Sequence, residues 1–324
     1  MKENQPGKTT AERVVIALLI CTNLVTAGFY FYELYSHDHD INAYPLIDVS
    51  RHIIPQENFI VNIQPLREEL NRMSTEFGEG SLSLYVEFLN TGANISVGKD
   101  NYIWPVSLAK LPLAIAVMKK VETGEWTLAN ELVLLENDRN AKSGDSKDPL
   151  LEFPIGTRFT IEKLLEELLV NSDNTAYNIL LRNMHNDDIE VVIEELGLEE
   201  LFTPDGKVSA KEYSRIFRSL YTSSFLKRAN SQMILTWLDA STFNDFLAQS
   251  VPENIPFPHK YGENLSLGVY ADSGIVYVPG RPYMISVMIK MPGTGTPNST
   301  ETARAREFMR QVSGAAYTYF SAVK

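Results

Sequence analysis

Cysteine is almost missing from this chain: its 324 residues include one, Cys21. A single cysteine excludes an intrachain disulfide and argues against a cysteine-based metal site. The five histidines are scattered and none forms a ligand pair at helical spacing, so we predict no metal site and no cofactor. An excess of basic charge is also missing, since the net charge is -12. This balance argues against a nucleic-acid-binding protein.

Long uncharged apolar runs are rare too, but one is present near the start, at Val14–Tyr32. Its length suits a helix that crosses a bilayer. Basic residues precede it and acidic residues follow it, which by the positive-inside rule predicts a cytoplasmic tail at 1–13 and an extracytoplasmic remainder. We predict a single-pass signal anchor in the cell membrane at 14–35. A cleaved signal peptide is the alternative, although no small-x-small cleavage site is evident.

The sequence after the anchor predicts a polar linker at 36–59 and one α+β domain at 60–324. The domain opens with a helix at Pro65–Phe77 and a hairpin of two strands, and it closes with three strands and a helix at Thr302–Phe320. The middle of the domain has mostly helical spacing. We therefore predict a three-layer α/β/α domain with a five-stranded antiparallel sheet, flanking helices, a sheet lobe (60–105 and 256–324) and an all-helical lobe (106–255).

Ser107 and Lys110 open an otherwise apolar helix that runs from Leu108 to Val121. Residues three apart share a helical face, so the lysine amine lies beside the serine. This arrangement suits a hydroxyl nucleophile that is activated by a lysine base. Alternatively, Ser107 only caps the start of a core helix.

Two further short motifs follow in the chain. Ser172-Asp173-Asn174 lies at a corner between two predicted helices, and Lys260-Tyr261-Gly262 lies on the first strand after Pro256. Taken singly, the first could be a helix cap and the second an ordinary edge strand. Together with Ser-x-x-Lys, in this order, they match the motif set of class A β-lactamases and penicillin-binding proteins. The chain therefore resembles the penicillin-recognising serine hydrolases, most closely class A β-lactamases, over roughly residues 60–322.

This resemblance implies a role for each residue of the motifs. Ser107 would attack the carbonyl of a β-lactam or of a D-alanyl-D-alanine peptide, and Lys110 would help to take its proton. Ser172 would relay a proton to the leaving nitrogen. Asn174 would bind the amide of the substrate's side chain, and Lys260 would place positive charge near Ser172 and the substrate carboxylate.

The strand around Gly262 would bind the substrate through its backbone. The N–H groups of Ser107 and Glu263 would form the oxyanion hole, and Gly262 would let the strand approach the substrate closely. Tyr261 replaces the small hydroxyl residue of the family motif. Its side chain is expected to point either into the cleft or against the helical lobe.

The acids around the motifs also differ from the family pattern. Asp272 lies where the family often has a basic residue that binds carboxylate, and no Glu-x-x-Leu-Asn sequence occurs between Leu196 and Val208. That glutamate activates the water which releases the acyl group in class A enzymes. Three acids of the right type are present, but we interpret each as a surface charge: Glu136, Glu199 and Glu200.

The sequence thus predicts a membrane-anchored serine hydrolase that forms an acyl-enzyme with β-lactams. A penicillin-binding DD-peptidase with slow deacylation is one alternative. A non-catalytic cell-envelope module that binds wall peptides or a protein on the same fold is another. An ester or other amide substrate also stays open, because one fold hosts several chemistries.

Overall fold

A computed structural model of the chain describes residues 10–48, 62–78, 80–139, 148–198, 205–293, 296 and 299–322. The chain divides into two compact units, Met1–Pro45 and Leu46–Lys324. Of the linker predicted at 36–59, residues 36–43 are helical and residues 49–59 lie outside the described residues. The boundaries predicted for the tail, the anchor, the linker and the two lobes stay predictions.

The first unit is formed by one long helix, α1, at Thr10–Ala43. Its segment Glu12–Tyr32 is long and apolar enough to cross a membrane. The polar side chains within this segment bond back to the carbonyls of the preceding turn, as the Nδ2 of Asn23 does to Leu19 O at 2.7 Å. Such bonds satisfy the polar groups inside the helix, which makes them tolerable in an apolar surrounding.

The second unit contains the predicted five-stranded antiparallel sheet, and this prediction is confirmed. Its strands lie in the order β2-β1-β7-β6-β5, so that β5 is an edge strand. The first hairpin pairs with the C-terminal strands through β1 and β7, where Phe88 lies opposite Tyr283. The strands of the sheet are β1 Ser81–Phe88, β2 Ala93–Val97, β5 His259–Asn264, β6 Val269–Val276 and β7 Tyr283–Lys290.

One face of the sheet is apolar and is covered by the two helices that flank the domain, α2 at Gln64–Phe77 and α9 at Thr300–Ala322. Side chains alternate between the faces of a strand, so alternate apolar residues of β1, β6 and β7 enter this core. The ring of Phe320 stacks on that of Tyr283 with centroids 4.4 Å apart. The predicted placement of both terminal helices on one face is therefore confirmed.

The opposite face of the sheet packs against a helical lobe whose centre is the almost fully buried helix α3. A short antiparallel pair of strands, which the sequence pattern did not predict, also lies in this part of the chain. The elements are α3 Lys110–Thr123, β3 Glu131–Val133, β4 Arg158–Thr160, α4 Ile161–Val170, α5 Asn174–Asn183, α6 Asn186–Glu195, α7 Ala210–Thr222 and α8 Arg228–Asp239.

The helix predicted at Phe243–Gln249 is wrong: only a 3-10 turn forms there, at Leu247–Ser250. The backbone of Phe246 (φ -115°, ψ -110°) lies outside the helical region. The N–H of Leu247 bonds to the Oδ2 of the buried Asp272 at 3.1 Å instead of continuing a helix. A tertiary contact therefore overrides the local apolar spacing.

Truncation of a core residue should destabilise the domain. Leu84 is fully buried in the core between the sheet and the flanking helices. Leu84→Ala is expected to lower the free energy of unfolding by about 2–5 kcal/mol, because the transfer and cavity terms add. Chemical denaturation of the purified protein measures this. Leu267→Ala, at a residue that is 39% exposed, is the control, and an equal loss in both variants would contradict the assignment of the core.

Candidate active site

Ser107 lies on a 3-10 turn, Val106–Ala109, that leads directly into α3. The turn contains a left-handed residue, Val106, with φ of +47°. A β-branched residue in this region is strained, and strain of this kind persists where the surrounding structure enforces it. Here the buried hydroxyl of Tyr213 donates to the carbonyl of Leu108 at 2.8 Å and fixes the turn to α7.

Ser172 lies at the corner between α4 and α5, as its motif predicts, and it is also left-handed, with φ of +54°. Asp173 caps α5 by accepting the Ala176 N–H at 2.6 Å. Its other oxygen accepts the Leu150 N–H at 2.9 Å. Asp173 thus caps α5 at this corner. Its two neighbours in the chain, Ser172 and Asn174, face Lys110.

The side chain of Lys110 joins the first two motifs. Its Nζ donates to the carbonyl and the hydroxyl of Ser172, the latter at 3.1 Å, and to the Oδ1 of Asn174 at 2.7 Å. These three acceptors match the three N–H bonds of an ammonium group. Within the described parts of the chain, no hydrogen bond joins the Lys110 Nζ to the Ser107 Oγ.

Lys260 joins the third motif to the same hydroxyl. Its Nζ donates to the Ser172 Oγ at 2.8 Å and to the carbonyl of Tyr261 at 3.0 Å, and its side chain is 1% exposed. Two lysines, one from α3 and one from β5, therefore meet at the hydroxyl of Ser172. We call Lys110, Ser172, Asn174 and Lys260 the lysine–serine cluster.

Burial of this cluster favours neutral amines. Desolvation lowers the pKa of Lys110 to about 8, although the charges of Asp148 and Asp173 oppose the shift. Desolvation, and then repulsion by Lys110, lowers the pKa of Lys260 well below its usual range. Since a neutral amine can accept a proton, the cluster can provide a general base near neutral pH.

Strand β5 passes directly beside the Ser107 turn. A Cβ atom on Gly262 would lie 2.7 Å from Ser107 N, so no side chain fits there. The carbonyls of Pro256 and Pro258 accept hydrogen bonds from the strand segment next to β5. Along an antiparallel strand, successive N–H groups point alternately toward the neighbouring strand and away from it. This alternation directs the N–H of Glu263 to the free edge, next to Gly262.

The Tyr261 side chain lies away from the cluster. Strand alternation turns it to the face opposite Lys260, where its ring stacks on that of Phe246 with centroids 4.6 Å apart and approaches Phe243. Of the two orientations open from sequence, the structure has the packed one. Only the Tyr261 carbonyl reaches the lysine–serine cluster. Burial raises the pKa of the Tyr261 phenol above its ordinary range.

Of the acids singled out in the sequence, the two that the structure describes, Asp272 and Glu136, have no hydrogen bond to the lysine–serine cluster. Asp272 is buried on the Tyr261 face of the sheet, where its Oδ1 lies 2.8 Å from the Nδ1 of His259. Glu136 is exposed in a 3-10 turn. Glu199 and Glu200 lie outside the described residues.

Two carboxylates to which the sequence assigned no role act on Lys110, and Asp272 acts on Lys260 through its charge. Asp173 has the pattern of a cap in the sequence, but burial raises its pKa to about 6 and its charge acts on Lys110. Asp148 approaches across a loop, with its Oδ1 accepting the Asn174 N–H at 2.6 Å. No periodic pattern links Asp148 to the motifs, so sequence reasoning could not find it.

The sequence profile of the Beta-lactamase enzyme family matches residues 65–320, so the chain belongs to this family. It is a serine β-lactamase-like hydrolase, as predicted. Among curated relatives, beta-lactamase VEB-1 of Pseudomonas aeruginosa is 22% identical over 224 residues, which span 62% of this chain and 74% of that protein.

Solved structures share the fold. PBP-A is similar with a TM-score of 0.69 at 22% identity, over 80% of this chain and 96% of PBP-A. A mutant of PBP-A in its acyl-enzyme complex with penicillin G gives a TM-score of 0.68 at 21% identity, over 80% of this chain and 97% of that one. The predicted fold is confirmed by these similarities.

The lowered pKa of Lys110 can be observed directly. In NMR spectra of protein with ¹³C at lysine Cε, the resonance missing from Lys110→Met is expected to titrate near pH 8, because burial disfavours its ammonium form. A midpoint at or above about 10, the usual value for lysine, would contradict a desolvated amine at this site.

Proposed function

We propose that this protein is a membrane-anchored, extracytoplasmic serine acyl hydrolase of the class A type that forms an acyl-enzyme with β-lactams through Ser107. The observation that supports this most is the convergence of two buried lysines on the Ser172 hydroxyl. The β5 backbone beside the Ser107 turn supports it as well.

In the proposed acylation, the Ser107 Oγ attacks the carbonyl carbon of the lactam and loses its proton to the neutral amine of Lys110. Among the described residues of the resting structure these two groups share no direct bond, and catalytic hydrogen bonds often tighten only when the substrate is bound. The carbonyl oxygen becomes an oxyanion, which the N–H groups of Ser107 and Glu263 stabilise. Each such donor contributes about 3 kcal/mol in comparable sites.

The tetrahedral intermediate then collapses with cleavage of the C–N bond. The leaving nitrogen takes the proton of the Ser172 hydroxyl, and the Lys110 ammonium returns a proton to Ser172 through the bond that already joins them. The products of this step are an ester at Ser107, an opened ring that carries an amine, and Lys110 in its neutral form.

Substrate binding is assigned to the same cluster. The Nζ of Lys260 would donate to the substrate carboxylate, and the side-chain amide of Asn174 would bind the acylamino group of the substrate. The penicillin G acyl-enzyme of the similar PBP-A mutant supports a β-lactam as the substrate class.

A penicillin-binding DD-peptidase with slow deacylation is the second candidate. It is favoured by the absence of Glu-x-x-Leu-Asn between Leu196 and Val208. Without a carboxylate to activate water, acylation outruns release of the acyl group. The two candidates share every step up to the acyl-enzyme. A non-catalytic module on the same fold is not favoured, because the Tyr261 side chain packs on Phe246.

The proposed location follows from α1. The span Glu12–Tyr32 would hold the protein in the cell membrane, and the basic residues before it would keep the N-terminus cytoplasmic. The domain would then face the side of the membrane where wall peptides and β-lactams are present.

Covalent labelling tests the nucleophile. A fluorescent penicillin is expected to label the detergent-solubilised wild-type protein, and Ser107→Ala is expected to abolish the label because the attacking oxygen is gone. Gel fluorescence measures it. Ser266→Ala, at an exposed serine near β5, is the matched control and should keep the label. A label that survives Ser107→Ala would refute the assignment.

The fate of the adduct separates the two candidates. After exposure to penicillin G, intact-protein mass spectrometry is expected to show one adduct that persists long after free penicillin is removed, because Leu196–Val208 contains no Glu-x-x-Leu-Asn. Such a persistent adduct is the behaviour of the second candidate. Nitrocefin should give a burst of about one equivalent, followed by slow turnover. Rapid return to the unmodified mass with continuous turnover would instead establish an efficient β-lactamase.

A further inference from the structure

Asp148 is a half-buried carboxylate that comes just before the 3-10 turn Pro149–Glu152. It reaches the start of α5, where its Oδ1 accepts the backbone N–H of Asn174 at 2.6 Å. Its Oδ2 lies 3.5 Å from the Nδ2 of the same asparagine. Asp148 thus contacts both the backbone and the side chain of one residue of the lysine–serine cluster.

The contact with the side chain fixes which way the Asn174 amide points. Its Nδ2 faces the Asp148 carboxylate, and its Oδ1 accepts the Lys110 Nζ at 2.7 Å. If the amide were reversed, its oxygen would face a carboxylate and its N–H groups would face an ammonium, and both contacts would be repulsive. The carboxylate therefore selects the amide orientation that holds Lys110.

The charge of Asp148 also acts on the cluster. Among the described residues, the titratable groups that act on Lys110 or on its neighbour Lys260 include Asp148, Asp173 and Asp272. Both oxygens of Asp173 already accept backbone N–H groups, and its pKa is raised by burial and then by the charges of Asp148 and Glu167. Asp148 is the carboxylate among them that also contacts the Asn174 side chain.

We propose that Asp148 is a positioning residue for acylation, which orients Asn174 so that its Oδ1 holds the Lys110 amine. Nothing in the motif set assigns a role to this position. The inference rests on the proposed function, since it concerns the step in which Lys110 takes the Ser107 proton. Asp148 acts through Asn174 and Lys110.

A purely structural role is the rival explanation, because a carboxylate at a helix N-terminus stabilises the helix. Asp148→Asn separates the two roles. The new amide keeps an oxygen for the Asn174 N–H, but it removes the charge and places a second NH₂ group against the Asn174 Nδ2. Loss of the anion lowers the pKa of Lys110, so the neutral amine persists to lower pH.

Acylation of the full-length protein in detergent by a fluorescent penicillin is followed as a function of pH. In Asp148→Asn, the plateau rate is expected to fall by about tenfold or more, since a misplaced catalytic group is costly. The acid limb of the profile, where the rate falls as Lys110 becomes protonated, should at the same time shift to lower pH. A merely structural cap would not move that limb.

The chain offers a matched control in Glu122. Its Oε1 accepts the backbone N–H of Lys227 at 2.6 Å and the Nδ2 of Asn230 at 2.8 Å at the start of α8. Glu122 lies at the opposite end of α3 from Lys110. Glu122→Gln removes a carboxylate from an equivalent contact and is expected to change neither the plateau nor the acid limb.

An unchanged profile in Asp148→Asn would overturn the proposal. A slower plateau with an unmoved acid limb would overturn it too, because it would show a cap only. If Asp148→Asn fails to fold, Asp148→Ser is used, because its hydroxyl can still accept a hydrogen bond from the start of α5. The shift of the acid limb is then measured in that variant. Failure of the wild type to label, or label on Ser107→Ala, would instead refute the proposed function. When the wild type labels normally, the change in the profile therefore tests the role of Asp148 alone.

Discussion

The hydroxyl oxygen of Ser172 receives hydrogen bonds from two buried lysines, and the rest of the site depends on this shared contact. Lys110 belongs to the helical lobe and Lys260 to the edge of the sheet, so one oxygen atom joins the two halves of the domain. Two ammonium groups so close together, with little water, are costly. The packing that brings them together therefore also makes an amine available as a base.

Holding this contact requires backbone conformations that an isolated chain would avoid. Val106 and Ser172 are both left-handed, and each is held by groups that do not themselves react. Tyr213 fixes the turn of Ser107, and Asp173 fixes the corner of Ser172 through two backbone N–H groups. Conformational strain at the centre is thus maintained by well-packed, fully bonded surroundings.

Much of this could be predicted from the sequence, because the motifs lie on elements with strong local patterns. The spacing of Ser107 and Lys110 on an apolar helix, and the alternation along the last strands, set both the chemistry and the sheet. Contacts that form across loops could not be predicted: Asp148 has no fixed spacing to Asn174. The orientation of Tyr261 was left open because its strand neighbours, unlike its motif, decide it.

The pairing of β1 with β7 has a consequence for how the chain acquires its fold. β1 is made early, yet the neighbour on its inner side is made only after the whole helical lobe. Until β7 is made, the edge of β1 that later pairs with β7 has no partner strand. An open strand edge of this kind is a template for pairing with other chains. The sheet depends on a contact of long sequence separation between β1 and β7, and such contacts slow folding. The inner edge of β1 is thus open to pairing with other chains until β7 has been made and has docked.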